Sequence, residues 1–116
     1  MTEFVLLFLD AVEIRDSTEA EQRAMLAAYA AFQAPLEAAG RVKEAGGLGP
    51  DFECARVVRR SGGDVEVTAG PFACAGGVVG GYLVVDCETL DDAIALAAIC
   101  PVAERAPIEV RQVWRH

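Results

Sequence analysis

The sequence predicts an α+β domain, one sheet carrying both of its helices on a single face. Three features predict it: an apolar strand-like run at residues 3–9, two helix-period segments each opened by a capping threonine, and β-branched runs between and after them. With 116 residues the chain is expected to form a single domain over residues 1–116 around one core.

The first strand is Phe4-Val5-Leu6-Leu7-Phe8-Leu9, closed by Asp10 and apolar on both faces. It lacks a basic leader and falls far short of the roughly 20 residues of a membrane span, so no targeting or membrane segment is expected and the protein is placed in the cytoplasm. A helix over 18–39 follows. Thr18 and Glu21 have the spacing of a capping box, while Met25, Tyr29, Phe32 and Leu36 lie along one face. Pro35 is expected to bend or shorten the last turn, and Gly40 suits the left-handed cap. Residues 41–49 read as a short strand running into a loop. Runs at 53–60 and 64–69 flank Ser61-Gly62-Gly63, a hairpin signal. Val78 to Val85 form a strand with both faces covered. Thr89 caps a second helix, with Asp91 and Asp92 at the positive end of its dipole. Leu90, Ile94 and Ala97 form its expected buried stripe, with Ala93, Leu96 and Cys100 alongside, and Pro101 stops it. A last strand spans 108–114. This order makes a ferredoxin-like split βαβ sheet with an inserted β-hairpin. Because Val78, Val79, Leu83, Val84 and Val85 leave both faces apolar, a homodimer packed sheet to sheet is expected.

Charge and cysteines narrow the function. A formal charge of −8, from 18 acidic and 10 basic residues, without a concentrated basic stripe, argues against direct nucleic-acid binding. Cys54, Cys74, Cys87 and Cys100 form no Cys-x-x-Cys pair, and the single histidine is His116, so no metal site is expected. The Gly46-Gly47-Leu48-Gly49-Pro50 loop lacks the Gly-Lys-Ser/Thr of a phosphate cradle. No cofactor is called for.

Residue types suggest where chemistry would sit. Asp10 and Glu13 follow the first strand, where a half-buried carboxylate has a raised pKa and acts as a base. Tyr82 has a proton to give and, if buried, needs a hydrogen-bond partner. Cys74 would become a nucleophile beside a cation, which Arg56 or Arg111 could supply from a neighbouring strand. Arg56, Arg59, Arg60, Arg111 and Arg115 suit a carboxylate or phosphate, with Arg56 and Arg111 the better placed. Packing and solvated surface charge are the plainer roles of all these side chains.

Four ordered segments carry a family likeness: Thr68-Ala69-Gly70-Pro71-Phe72, Gly80-Gly81-Tyr82-Leu83-Val84-Val85-Asp86, Leu90-Asp91-Asp92-Ala93 with Ala98-Ile99-Cys100-Pro101, and Ile108-Glu109-Val110-Arg111. Over essentially its whole length the chain resembles the YCII-related family in its DGPF subgroup. The resemblance implies a dimeric α+β barrel with a pocket between sheet and helices. It also implies either enzymes acting on small ring compounds, dehydrohalogenation included, or partners of extracytoplasmic-function sigma factors. The chain departs from the family pattern in three places. Ala69 replaces the aspartate of Asp-Gly-Pro-Phe, Cys74-Ala75-Gly76-Gly77 replaces a Glu-x-Lys-Glu-like stretch, and the histidine that pairs with the aspartate in some relatives has no counterpart. A His–Asp dyad is therefore missing, and a roomier, more apolar pocket for a bulky apolar or aromatic ligand is expected.

Two function classes follow. One is a cofactor-independent isomerase, cyclase or lyase that holds a hydrophobic substrate, with Tyr82, Cys74 or Asp10 moving a proton and Arg56, Phe72 and Arg111 binding the ligand. The other is a non-catalytic ligand- or partner-binding protein with a regulatory, sigma-factor-associated role.

Overall fold

Alternation and pairing register decide which side chains face the helices. In the computed structural model, which describes residues 1–10, 17–48, 55–71, 73–74 and 77–115, strand β1 (Thr2–Asp10) runs antiparallel to β6 (Gly77–Cys87). Phe4 pairs with Val85, Leu6 with Leu83 and Phe8 with Gly81, so these side chains share one face. β7 (Ile108–Gln112) takes the other edge of β1, and β2 (Val42–Gly47) takes the other edge of β6. The order β2-β6-β1-β7 is wholly antiparallel, with two-residue β5 (Ala73–Cys74) extending the β2 edge. This is the ferredoxin-like arrangement expected from the element order.

Helix α1 (Glu19–Ala38) begins where the sequence places it. The Thr18 hydroxyl accepts from the Glu21 amide at 3.1 Å, and the Glu21 carboxylate accepts from the Thr18 amide at 3.2 Å. These bonds hold the Glu21 carboxyl below its ordinary range, with Arg105 adding attraction. The capping contribution is accordingly present at neutral pH and fades on acidification as that carboxyl protonates. Thr18→Ala is expected to cost about 1 kcal/mol in urea unfolding at neutral pH; an unchanged midpoint would mean that the helix start is held by something else. Pro35 neither ends the helix nor shortens it. The last turn runs on to Ala38, closed by the Ala39 amide on the Pro35 carbonyl and by Gly40 at φ +69°.

α2 (Leu90–Ile99) packs on the same face of the sheet, and a 3-10 turn (Pro101–Glu104) follows it. Here one expectation is corrected. Ala93, Ala97 and Cys100 form the buried stripe, while Leu90 and Ile94 are 50% and 48% exposed. Small residues spaced four and three apart bring this helix close to the strands, which rotates its larger side chains to the flank. The core joins Phe4, Leu6, Phe8, Leu83, Val85 and Cys87 to Leu36 and the alanines of α2, with Tyr29 and Phe32 against it.

The inserted hairpin is β3 (Arg56–Ser61) and β4 (Asp64–Ala69), turned at Gly62 with φ +60°. It pairs with no other strand among the described residues and forms a separate two-stranded sheet. The opposite face of the main sheet carries Val5, Leu7, Tyr82 and Val84 at its centre. An ion pair at 3.1 Å between Lys43 and Asp86 and another between Glu3 and Arg115 stand at its margin.

Candidate functional site

The helix-facing side of the sheet lacks side-chain volume at one end. Gly47 on β2 pairs with Gly81 on β6, and Gly81 pairs in turn with Phe8 on β1. Beside this row the β1–β6 register shifts between Phe8 and Leu9, a bulge that falls at Gly80. Met25, Leu26 and Tyr29 of α1 stand over the glycines, and Val102 of the 3-10 turn completes the wall. The result is a cavity of about 450 Å³, within the usual size range of small-molecule sites. None of its described lining residues is charged.

The glycines are not interchangeable. A Cβ on Gly81 would stand 3.1 Å from the Gly46 carbonyl oxygen and 3.4 Å from the Phe8 ring, so the two strands depend on its absence for close approach. A Cβ on Gly46 would strike the Tyr82 ring at 2.8 Å on the opposite face. A Cβ on Gly47 would meet nothing within 4 Å. By register it shares the face of Gly81 and Phe8, so that open space is the cavity.

Tyr29 supplies the only side-chain hydroxyl among the described lining residues. Its ring meets Phe8 edge-on at 5.6 Å and Phe32 at 6.0 Å, which fixes its position. The hydroxyl makes no hydrogen bond among the described residues. Burial, with smaller contributions from Cys100 and Glu37, pushes its pKa up to about 12. It is therefore a standing donor at neutral pH and not a base. A phenol whose folded pKa is raised stabilises the fold fully below its unfolded pKa near 10, and that contribution disappears as pH rises through about 12. Wild type is expected to lose about 1–2 kcal/mol across this window, a value discounted because the ring is only partly buried. Tyr29→Phe should flatten that alkaline loss in melts recorded from pH 9 to 12; an identical slope in the variant would place its cause elsewhere.

The residues singled out in the sequence do not converge on this cavity. Tyr82 pairs with Leu7 and Gly46, hence on the opposite face, where its hydroxyl donates to Glu44 Oε1 at 3.0 Å and its pKa is raised by that bond. Arg56 begins the hairpin and donates to its neighbour's Ala55 carbonyl at 2.7 Å. Arg111 is exposed on β7, opposite Val5. Asp10 ends β1, two residues beyond Phe8, and Cys74 lies in β5 opposite Gly77; only their backbones are described. Phe72, Glu13, Cys54 and His116 lie outside the described residues. Cys87 and Cys100 are buried free thiols; Arg41 approaches Cys87 Sγ at 3.5 Å, and burial raises the Cys100 pKa. No cluster of three metal-binding side chains occurs among the described residues.

Tyr29 is the site residue that the sequence reading missed, because its helical spacing marked it as core. The available signal was the two Gly-Gly pairs, Gly46-Gly47 and Gly80-Gly81, which empty the sheet beneath that helix face.

The YCII-related domain matches residues 6–116. The chain belongs to the YCII-related family. Comparison with the curated proteins finds no match. Among solved structures, this YCII-related chain is similar to 5-chloro-2-hydroxyhydroquinone dehydrochlorinase from Burkholderia phenoliruptrix AC1100, in complex with 2,5-dihydroxybenzoquinone. The likeness has a TM-score of 0.57 at 17% identity and covers 98% of this chain and 94% of that one. At this identity it establishes the shared fold. No helix among the described residues is long and apolar enough to cross a membrane.

Proposed function

We propose that this YCII-related protein binds small, uncharged ring compounds between α1 and the glycine-rich end of its sheet, as a cytoplasmic homodimer joined sheet to sheet. The observation that carries the reading is the composition of the cavity wall: aliphatic and aromatic side chains, bare glycine backbone and one protonated phenol. A carboxylate or phosphate there would lose its hydration and meet no cation among the described lining residues, at a cost of several kcal/mol. A neutral ring bearing a hydroxyl or carbonyl loses little water, stacks on Phe8 and Tyr29, and accepts a hydrogen bond from the Tyr29 hydroxyl. The structurally similar dehydrochlorinase was solved with a six-membered ring bearing hydroxyl and carbonyl groups, which supports a ligand of that shape.

The dimer is supported by the second sheet face, where Val5, Leu7, Tyr82 and Val84 form an apolar centre bounded by charged pairs, the usual pattern of a protein interface. The retained Gly70-Pro71 supports placement in the DGPF subgroup. If turnover accompanies binding, it is cofactor-independent isomerase, cyclase or lyase chemistry, with Asp10, two residues beyond Phe8 at the end of β1, as the carboxylate that moves the proton.

Calorimetric titration of a neutral dihydroxybenzene against the matching dihydroxybenzoate tests the reading. Saturable binding of the neutral compound at least tenfold tighter than the benzoate is expected. Preference for the anion would overturn it.

A further inference from the structure

The β3–β4 hairpin has two unlike faces. Val58 pairs with Val67, Arg60 with Val65 and Arg56 with Ala69, which places Val58, Val65, Val67 and Ala69 on one side with two arginines. The other side carries the Val57–Thr68, Arg59–Glu66 and Ser61–Asp64 pairs. Val58, Val65 and Val67 are 64%, 55% and 59% exposed. A two-stranded hairpin with no supporting layer is marginal in water, and among the described residues nothing covers the Val58, Val65 and Val67 side of this one.

We propose that this hairpin is an arm whose valine face closes on a second copy of the chain. The proposal rests on the dimer reading above and extends it to a separate element. Charge identifies the occupant. Two copies at −8 each repel. Among the described elements only the hairpin carries net positive charge, from Arg56, Arg59 and Arg60 against Asp64 and Glu66. Both acids lie on the side away from Val58, Val65 and Val67. The face that needs covering is therefore cationic, and a second copy offers it an acidic surface.

Shape and area agree. The Cα radius of gyration is 15.9 Å, against about 13 Å for a compact chain of this size, as a projecting arm requires. One face of two six-residue strands covers only about 200 Å², well below the roughly 800 Å² per partner of a stable interface. An arm alone would not hold a dimer. In a two-fold dimer each protomer gives one arm and receives the other, so the arms supply about 400 Å² per protomer and the apolar sheet face must supply the rest.

Sedimentation equilibrium of the full chain separates the arm from the dimer. Wild type, Val58→Asp/Val67→Asp and Thr68→Asp (the opposite side of the same hairpin) are compared, with unfolding by circular dichroism confirming an intact core. A wild-type dimer is expected, with its dissociation constant raised at least tenfold by the valine pair and less than threefold by Thr68→Asp. Hydrogen exchange on wild type adds a readout free of substitution: amides of residues 57–68 should be protected above the dissociation constant and lose protection on dilution. A wild-type dimer that the double variant leaves unchanged, or a hairpin whose exchange ignores concentration, overturns the arm and leaves the sheet-to-sheet dimer standing. A wild-type monomer overturns both.

Discussion

Replacing Gly47 with leucine is expected to abolish binding of neutral ring compounds while leaving the fold intact. Few positions separate these two effects so cleanly. Gly47 pairs with Gly81 on the helix-facing side of the sheet, and a Cβ there meets no atom within 4 Å. Its φ lies outside the left-handed region, so a side chain adds no backbone strain. A leucine therefore grows into the cavity, where its four carbons, roughly 100 Å³ with the room they exclude, displace a large part of a ring-sized ligand. Isothermal titration should show at least a 30-fold loss of affinity for Gly47→Leu and a loss of a few-fold for Gly47→Ala. The melting temperature should stay the same or rise, since the new side chain buries apolar surface. Gly81→Ala is the contrasting case: its Cβ would press on the Gly46 carbonyl at 3.1 Å, so it should disturb the strands before it fills the cavity. Undiminished binding in Gly47→Leu would move the ligand out of this pocket altogether.

The same strands show how far the sequence can be read. The element order, the Thr18 and Thr89 caps and the Gly62 turn were all legible, because each depends on neighbours a few residues apart. The facing of β6 was not. With Leu83, Val84 and Val85 consecutive, alternation carries no signal, and a shift of one residue exchanges the faces. Tyr82 thus looked like a pocket residue and lies on the far side, bonded to Glu44. Tyr29 looked like core and stands over the cavity. What separates the two is long-range: the register that sets Gly47, Gly81 and Phe8 in one row. The same holds for α2, where helical periodicity marks an apolar arc and only the closeness of the sheet selects its alanine edge.

The pocket depends on that rigid row, and the row depends on the residues behind it. Leu83 and Leu6 are paired neighbours on the two central strands, both 0% exposed, between the glycine end of the sheet and the α2 contact. Leu83→Ala is expected to cost about 3–4 kcal/mol, the transfer of the lost carbons plus a cavity that paired strands close poorly. For a domain of 5–15 kcal/mol this is a large fraction, and it should lower Tm by roughly 10–20 °C. Ile94→Ala provides the comparison: at 48% exposure on the flank of α2 it should cost about 1 kcal/mol or less. Urea unfolding of the two variants side by side measures the difference directly. If Ile94→Ala proves as costly as Leu83→Ala, the helix packs through the larger stripe and the corrected α2 orientation fails. If Leu83→Ala is mild, the strands relax around the loss. The cavity wall is then too soft to select ligands by shape, and the weak discrimination between neutral rings that follows would be visible in the same calorimetric series.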